Sequence, residues 1–227
     1  MQIQASTFRD HCQDVMNEGK CIVFGLSAFN SFFTPGTVRT LIRWGADHFD
    51  RVEVLLPGYE ASFAAIAAGS PPLAAVRKVK HAVKNLRSPA RNALEQAGLA
   101  PATHTWTKKA GHPRYRDLSQ QVAAAYESSE RVRQWCDRTT SEHLRQVLDT
   151  TPTPGQVALN RCYVLAELPY LMDAAGVVDA PSAVFAYPHS WPLQEALLNG
   201  EIPELMPADR HGFVKVSISP RIEEKVP

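Results

Sequence analysis

Two stretches of this chain combine residue types that could do chemistry. The first is Cys21-Ile22-Val23-Phe24-Gly25-Leu26-Ser27, in which four apolar residues run unbroken into a Gly and then a Ser. An unalternating apolar run of this length reads as a strand buried on both faces, as in a parallel sheet. A Gly at its end lets the chain turn where a side chain would clash. Ser27 then stands just past the carboxyl end of a central strand, the edge at which open α/β sheets bind their ligands. As a nucleophile it would form an ester with an acyl group; the plainer alternative is that Ser27 only caps the helix that follows. The second stretch is a helix-like segment in which Tyr163 and Glu167 lie four residues apart, hence on one face, within apolar surroundings. A carboxylate in that setting needs a cation or hydrogen-bond donors, either an internal Arg or a cationic ligand. Pro169, inside the same pattern, removes one N–H and is expected to kink the helix and free the carbonyl near Leu165. A further phenol, Tyr187, closes another apolar run at 183–187.

A third cluster is electrostatic. Arg77, Lys80, Lys84, Arg87 and Arg91 recur at steps of three and four, with Lys78 beside them, and the span from Arg77 to Arg91 holds no acidic residue. On one continuous helix these cations form a stripe, next to an apolar stripe of Val76, Val79, Val83, Leu86 and Ala90. Solvated helices usually pair such cations within the helix, so an unpaired stripe suits a polyanion; a solvated charged face is the alternative. Ser88-Pro89 is a possible break, which would move Arg91 off the stripe.

The elements that must position these groups follow from the same pattern. The chain has 227 residues, enough for one substantial core, and 24 Lys and Arg against 23 Asp and Glu give a net charge of +1. Overall charge therefore points to no polyanion partner; only the local stripe does. An amphipathic helix is expected over residues 6–18, a strand at 21–25, a helix over 37–49 and a second buried strand at 52–56 stopped by Pro57-Gly58. This β-α-β order favours a parallel sheet. An Ala-rich helix at 61–69 ends at Ser70-Pro71-Pro72, and the basic segment follows. A third strand is expected at 104–107, and two helices between Tyr115 and Leu148 meeting near Thr139-Thr140-Ser141. After a turn at 151–155 comes a helix from about Gln156 to Ala175, ended by Gly176 at a C-cap. Strands at 183–187 and 213–218 complete the set, the last alternating as an edge strand would. The expected architecture is α/β: a single domain over residues 1–227, with a mostly parallel sheet and helices on both faces.

Cys12, Cys21, Cys136 and Cys162 are scattered, with no paired spacing and no Cys/His cluster suited to zinc, so no metal is expected. Cys21 and Cys162, in apolar surroundings, read as buried thiols. No apolar run nears the roughly 20 residues that span a bilayer, and no signal peptide is evident, so a soluble, cytoplasmic and reduced protein is expected.

Taken together, Gly25-Leu26-Ser27, the Tyr163-x-x-x-Glu167-x-Pro169 helix and Tyr187 two dozen residues beyond Tyr163 resemble the cyclodipeptide synthases in order and spacing, across almost the whole chain. Cys21 stands where that family usually has a His, six residues before the Ser. Asn30 matches one branch of the family, whereas Tyr187-Pro188 matches the other. The resemblance implies a Rossmann-like sheet similar to the catalytic domain of class I tyrosyl- and tryptophanyl-tRNA synthetases, without their nucleotide site. This chain likewise has no G-x-G-x-x-G and no P-loop lysine motif, and no cofactor is expected.

It further implies two aminoacyl-tRNAs as substrates. Ser27 would take the first aminoacyl group as an ester, a second group would be joined to it, and the dipeptidyl-enzyme would cyclise to a 2,5-diketopiperazine. In that scheme Glu167 binds the α-ammonium, Tyr163 shares it or orients the ester, and Tyr187 holds Glu167 or relays a proton. Gly25 and Asn30 flank the substrate pocket, and Arg77, Lys78, Lys80, Lys84, Arg87 and Arg91 meet tRNA. An aminoacyl ester is already activated, which explains a Ser without an adjacent His base. Two other readings compete: an α/β serine hydrolase, against which Phe29 replaces the last Gly of G-x-S-x-G, and a noncatalytic tRNA-binding module, which leaves Ser27 and the Tyr163–Glu167 pair without a role.

Overall fold

A six-stranded sheet organises the chain, in the order β1-β6-β5-β2-β3-β4. Its strands are β1 (Gln2–Thr7), β2 (Cys21–Gly25), β3 (Arg51–Leu56), β4 (Thr103–Thr105), β5 (Ala183–Tyr187) and β6 (His211–Ser219). The computed structural model describes residues 2–148 and 150–219. All neighbouring pairs are parallel except β1 with β6. The helices are α1 (Asp10–Asn17), α2 (Pro35–His48), α3 (Ser62–Ala67), α4 (Pro72–Gln96), α5 (Trp106–Lys109), α6 (Pro113–Ser128), α7 (Glu130–Val147), α8 (Pro154–Val177) and α9 (Pro192–Leu198). Every residue of β2 and of β5 is buried, as unalternating apolar runs require of strands covered on both sides.

The two faces are covered by different helices. Along β2, Ile22 and Phe24 point to the face where Gly45 of α2 packs so closely that a Cβ there would lie 2.9 Å from the Phe24 ring. Cys12 and Val15 of α1 meet Val184 and Gly212 on the same side, and α4 packs beside α2. The opposite face carries Phe185 and His211, and α8 lies against it: the ring Nδ1 of His211 accepts from the Ala174 N–H at 3.3 Å. α6 and α7 pack on α8 in turn. Helices therefore cover both faces of a mostly parallel sheet, as the sequence pattern suggests.

Several boundaries differ from expectation, each for a local reason. Residues 6 and 7 belong to a polar edge strand rather than a helix, and its alternate residues are half-buried against β6. β6 is therefore interior; its alternation reflects exposure of Lys215 and Ser217 where the covering layer ends. The α6–α7 junction lies at Ser129, whose hydroxyl accepts from the Val132 N–H at 3.3 Å. Thr140 and Ser141 sit inside α7 instead, donating to the carbonyls of Cys136 and Asp137 at 2.7 and 2.8 Å and so satisfying their hydroxyls within the helix. The third strand stops at Thr105, and Trp106 opens a short helix capped by the Thr105 hydroxyl. α4 runs unbroken through Pro89, so Arg91 stays on the same helix as the other cations.

α8 begins with a capping box: Thr153 accepts from the Gln156 N–H, and the Gln156 side chain accepts from the Thr153 N–H at 2.8 Å. Pro154 and Gly155 therefore lie in its first turn rather than before it. The chain stays helical through Pro169, and the departure comes four residues later, at Asp173 (φ −156°, ψ 68°). Asp173 is fully buried; Arg114 donates to it at 2.7 Å, Arg210 at 2.9 and 3.1 Å, and the Gly176 N–H at 2.8 Å. Burial pushes its carboxyl upward, but the donors from Arg210, Gly176 and Arg114 outweigh that and hold it below the usual carboxylate range. Gly176 lies within the helix and is not its C-cap; a Cβ there would collide with Asp173 and Arg210. Cys21 is buried as expected, its thiol pushed up to about 12 by burial and then by the Glu53 charge. Cys162, expected to be buried, is instead exposed on α8.

Candidate active site

β2 is central, between β5 and β3, so the loop leaving it is flanked by the ends of both neighbours. The Leu26 N–H donates to the Leu55 carbonyl at 2.9 Å, carrying β2–β3 pairing one residue past the strand before Ser27 departs. Ser27 is half-buried there. It does not cap α2; Thr34 does, accepting from the Thr37 N–H at 3.1 Å. Asn30 folds the loop, its side-chain oxygen accepting from the Phe32 N–H at 2.9 Å and its carbonyl from the Phe33 N–H at 3.1 Å. Gly25 is needed for packing rather than for backbone freedom, since it lacks a positive φ and an added Cβ would stand 2.6 Å from the Phe185 ring.

Tyr187 ends β5 beside this loop. Phe33 packs on its ring at 5.7 Å between centroids, and Trp191 meets it edge-on at 5.7 Å. Burial pushes the Tyr187 phenol up to about 12, the Glu167 charge adds to this, and the side chains of Asn30 and Ser27 oppose it. The one phenol is thus within electrostatic reach of Ser27, Asn30 and Glu167. Tyr163 is sandwiched between Trp106 (4.9 Å) and a stacked His143 (5.1 Å, 20° between planes). Its phenol is pushed well above the usual range by burial, then by Glu167 and Tyr187. The structure thus brings Ser27, Asn30, Tyr187, Glu167 and Tyr163 into one site at the carboxyl edge of the sheet.

Glu167 itself is 4% exposed, and its Oε2 has no hydrogen-bond partner. Burial alone drives its carboxyl well above the usual range. Among the described residues no Arg or Lys pairs with it, which removes the internal ion pair as its explanation. Unpaired buried polar atoms are rare and costly, and they concentrate where a ligand supplies the partner. Two others lie on the same stripe of α8, Asn160 Oδ1 and the Tyr170 hydroxyl. Asn160, Tyr163, Glu167 and Tyr170 follow one another at steps of three and four, so one face of α8 presents polar atoms into an aromatic enclosure of Trp106, Tyr115 and His143.

Sequence reasoning missed Tyr170, although its spacing from Glu167 was a usable signal. Trp106 and His143 gave none, because only the tertiary fold brings α5 and α7 against Tyr163.

The basic residues lie beside this site. Arg77, Lys80, Lys84 and Arg87 line one wall of a groove of about 670 Å³, whose other wall is Pro57, Gly58, Tyr59, Thr105, Thr107 and Lys108 past the ends of β3 and β4. Val79, Val83, Leu86 and Ala90 face the core as expected, and Val76 is half-buried. Lys78 stands apart, with Nζ 5.3 Å from the centre of the Phe29 ring. Arg91 lies beyond the groove and pairs with Glu95 at 3.8 Å, whereas among the described residues none of Arg77, Lys80, Lys84 and Arg87 is in an ion pair. Among the described residues no group of His, Cys, Asp and Glu could hold a metal ion, and no helix is long and apolar enough to cross a membrane.

The profile of the cyclodipeptide synthase family matches residues 3–217. The chain belongs to this family. It is 28% identical, over 97% of its own length and 92% of the relative's, to a cyclo(L-leucyl-L-leucyl) synthase of Bacillus subtilis (strain 168). A cyclodipeptide synthase from Bacillus thermoamylovorans superposes with a TM-score of 0.91 at 26% identity, covering 96% of this chain and 97% of that one. A Mycobacterium tuberculosis protein whose structure relates cyclodipeptide synthetases to type I tRNA synthetases superposes with a TM-score of 0.87 at 24% identity, covering 96% and 94%. This cyclodipeptide synthase is accordingly an aminoacyltransferase on a Rossmann-like fold.

Proposed function

We propose that this synthase takes both aminoacyl groups from aminoacyl-tRNAs and carries them on Ser27. In the first transfer the Ser27 hydroxyl attacks the carbonyl of the tRNA ester. A new ester forms at Oγ, the ribose hydroxyl leaves, and the Oγ proton passes to it. The direction of the second transfer follows from atom balance. For a dipeptide to remain on Ser27, the amine of the Ser27-bound residue must attack the ester of the second aminoacyl-tRNA and expel that tRNA. Attack in the opposite sense would free Ser27 and leave the dipeptide on tRNA. In the last step the free amine of the dipeptide attacks the Ser27 ester, closing the ring and regenerating the hydroxyl.

What carries this reading is the unpaired carboxylate of Glu167. An α-ammonium is the cation that such a buried carboxylate lacks, and each amine must also lose a proton before it attacks. A carboxyl whose affinity for protons is raised by burial suits both tasks, holding the ammonium and then accepting its proton. Tyr163, fixed between two rings, would orient the same amine. Tyr187, facing Ser27 and Glu167 at once, would pass the proton to the leaving oxygen. The basic groove beside the site would receive the acceptor arms of the tRNAs, its cations replacing counterions on the phosphates.

The deciding experiment supplies the purified protein with a mixed pool of aminoacyl-tRNAs and analyses the products by mass spectrometry. Cyclic dipeptides should appear with charged tRNA and not with free amino acids and ATP; the reverse result would end the tRNA-dependent reading. In the same system, replacing Lys80 and Lys84 together with Ala should weaken tRNA binding and flatten its dependence on salt by about 1.4–1.8 logarithmic units per decade, at about 0.7–0.9 per phosphate contact. A folded double variant with unchanged affinity and slope would return the stripe to a solvated face.

A further inference from the structure

Two aromatic side chains at the carboxyl edge of the sheet are left bare. Phe29, in the loop after β2, is 57% exposed, and Tyr59, just past β3, is 55% exposed. Phe29 does not anchor its loop, since Phe33 does that by packing on Tyr187. The ring is instead presented outward with the Lys78 ammonium 5.3 Å from its centre. Tyr59 borders the groove lined by Arg77, Lys80, Lys84, Arg87 and Lys108, with one carboxylate, Glu60, next to it and meeting Thr107 Oγ1 at 3.5 Å. Exposed aromatic faces set among unpaired cations are the composition of a surface that binds single-stranded nucleic acid, where bases stack and cations track the backbone.

Connectivity fixes where such a surface would act. Phe29 is two residues from Ser27, so their Cα atoms are no more than about 7 Å apart. In an aminoacyl-tRNA the ester sits on the ribose of the terminal, unpaired nucleotide. With the ester carbonyl at Ser27, the base of that same nucleotide must come to rest within a few ångströms of the sugar, which is the space Phe29 occupies.

Resting on the tRNA-dependent reading above, we propose that Phe29, with Lys78 against its ring, is the stacking platform for the terminal unpaired base of the charged tRNA. Stacking there holds the last ribose, and hence the ester, over the Ser27 hydroxyl. Lys78 offers the same base a cation and neutralises a nearby phosphate. Arg77, Lys80, Lys84 and Arg87 of the same helix lie in the adjoining groove and meet the phosphates that lead up to this point.

The test is a binding cycle on an RNA minihelix carrying the acceptor arm, with and without the base of its last nucleotide. In the parent protein, removing that base should weaken binding roughly tenfold, the usual effect of losing one stacked base. In Phe29→Ala the intact minihelix should bind with that weaker affinity, and removing the base should then change nothing further. Phe29→Trp should restore both the affinity and its dependence on the base. Phe29 is exposed, so the variants are expected to fold. Equal affinities of Phe29→Ala and the parent for the intact minihelix overturn the platform. So does a weakening that is the same with and without the base, because that is a distorted loop rather than a lost stack. A parent that shows the cycle yet makes no cyclic dipeptide refutes the enzymatic reading and leaves the platform standing. A parent that makes cyclic dipeptide while Phe29→Ala binds as it does refutes the platform alone. A parent that binds no minihelix overturns the platform, and cyclic dipeptide made from charged tRNA decides the enzymatic reading separately.

Discussion

Mixed with charged tRNA at no more than one equivalent and quenched in acid, the protein is expected to gain the mass of one aminoacyl residue, on the peptide that contains Ser27. The acyl-enzyme should accumulate because the first transfer needs only the tRNA ester, whereas the next needs a second aminoacyl-tRNA. On the proposed route the first step would ask little of a base: the bond broken would be an ester, the bond formed an ester, and the leaving ribose hydroxyl would take back the proton that Ser27 gives up. Backbone N–H groups of the loop after Ser27 would supply the oxyanion stabilisation that such a transfer needs, typically worth about 3–4 kcal/mol. Ser27→Ala should lose the adduct and lower cyclic dipeptide formation by on the order of 10³-fold or more, the usual consequence of deleting a nucleophile. Ser27 is half-buried and makes no cap, so the variant is expected to keep its fold and still bind tRNA. Turnover of Ser27→Ala at the parent rate would mean that another group carries the acyl chain. Product that depends on Ser27 without any adduct would leave the hydroxyl a positioning role and rule out the covalent route.

The parts of this site that were legible in the sequence are those carried by local pattern. The unbroken apolar run before Gly25 announced a strand covered on both faces, and the structure buries all of β2. The spacing of Tyr163 and Glu167 announced a shared helix face, and both are buried on it. What pattern could not give was the cause of each constraint. Gly25 read as a turn residue, but the Phe185 ring forbids a Cβ there, and only the pairing of β5 with β2 brings that ring near. Pro169 read as the kink, yet the helix breaks at Asp173, because Arg114 and Arg210 reach it from elements far away in the chain. Thr139-Thr140-Ser141 read as the junction of two helices, but the hydroxyls of Thr140 and Ser141 bond back into α7, which runs on through them. Trp106, His143 and Phe29 illustrate the remaining limit, since their roles arise from which neighbours the fold places beside them.

Glu167→Gln is expected to lose activity and gain stability together, and the pH dependence of that gain tests the assignment. Gln keeps the size and shape of the side chain but cannot carry the charge that would hold the substrate ammonium. Losing one partner of a buried, hydrogen-bonded charge pair costs about 3 kcal/mol or more, so product formation should fall by upwards of about a hundredfold. In the substrate-free protein the same carboxyl is a liability, since burial raises its affinity for protons and its Oε2 has no partner. The folded form therefore holds its proton at pH values where the unfolded chain has already released it. Stability from this group is fully present below the ordinary carboxylate range and declines as pH rises toward the raised value in the folded protein. Gln has no proton to lose, so the difference in unfolding free energy should move in favour of Glu167→Gln as pH rises through that window. The parent's kcat/KM should rise over the same interval as the carboxylate forms, a rise that any residual activity of Glu167→Gln should lack. A variant that remains active would make Glu167 a structural residue and send the ammonium elsewhere. Parallel stability curves for the two proteins would mean that the carboxyl is already ionised in the free enzyme, and the vacancy argued for the substrate amine would not exist.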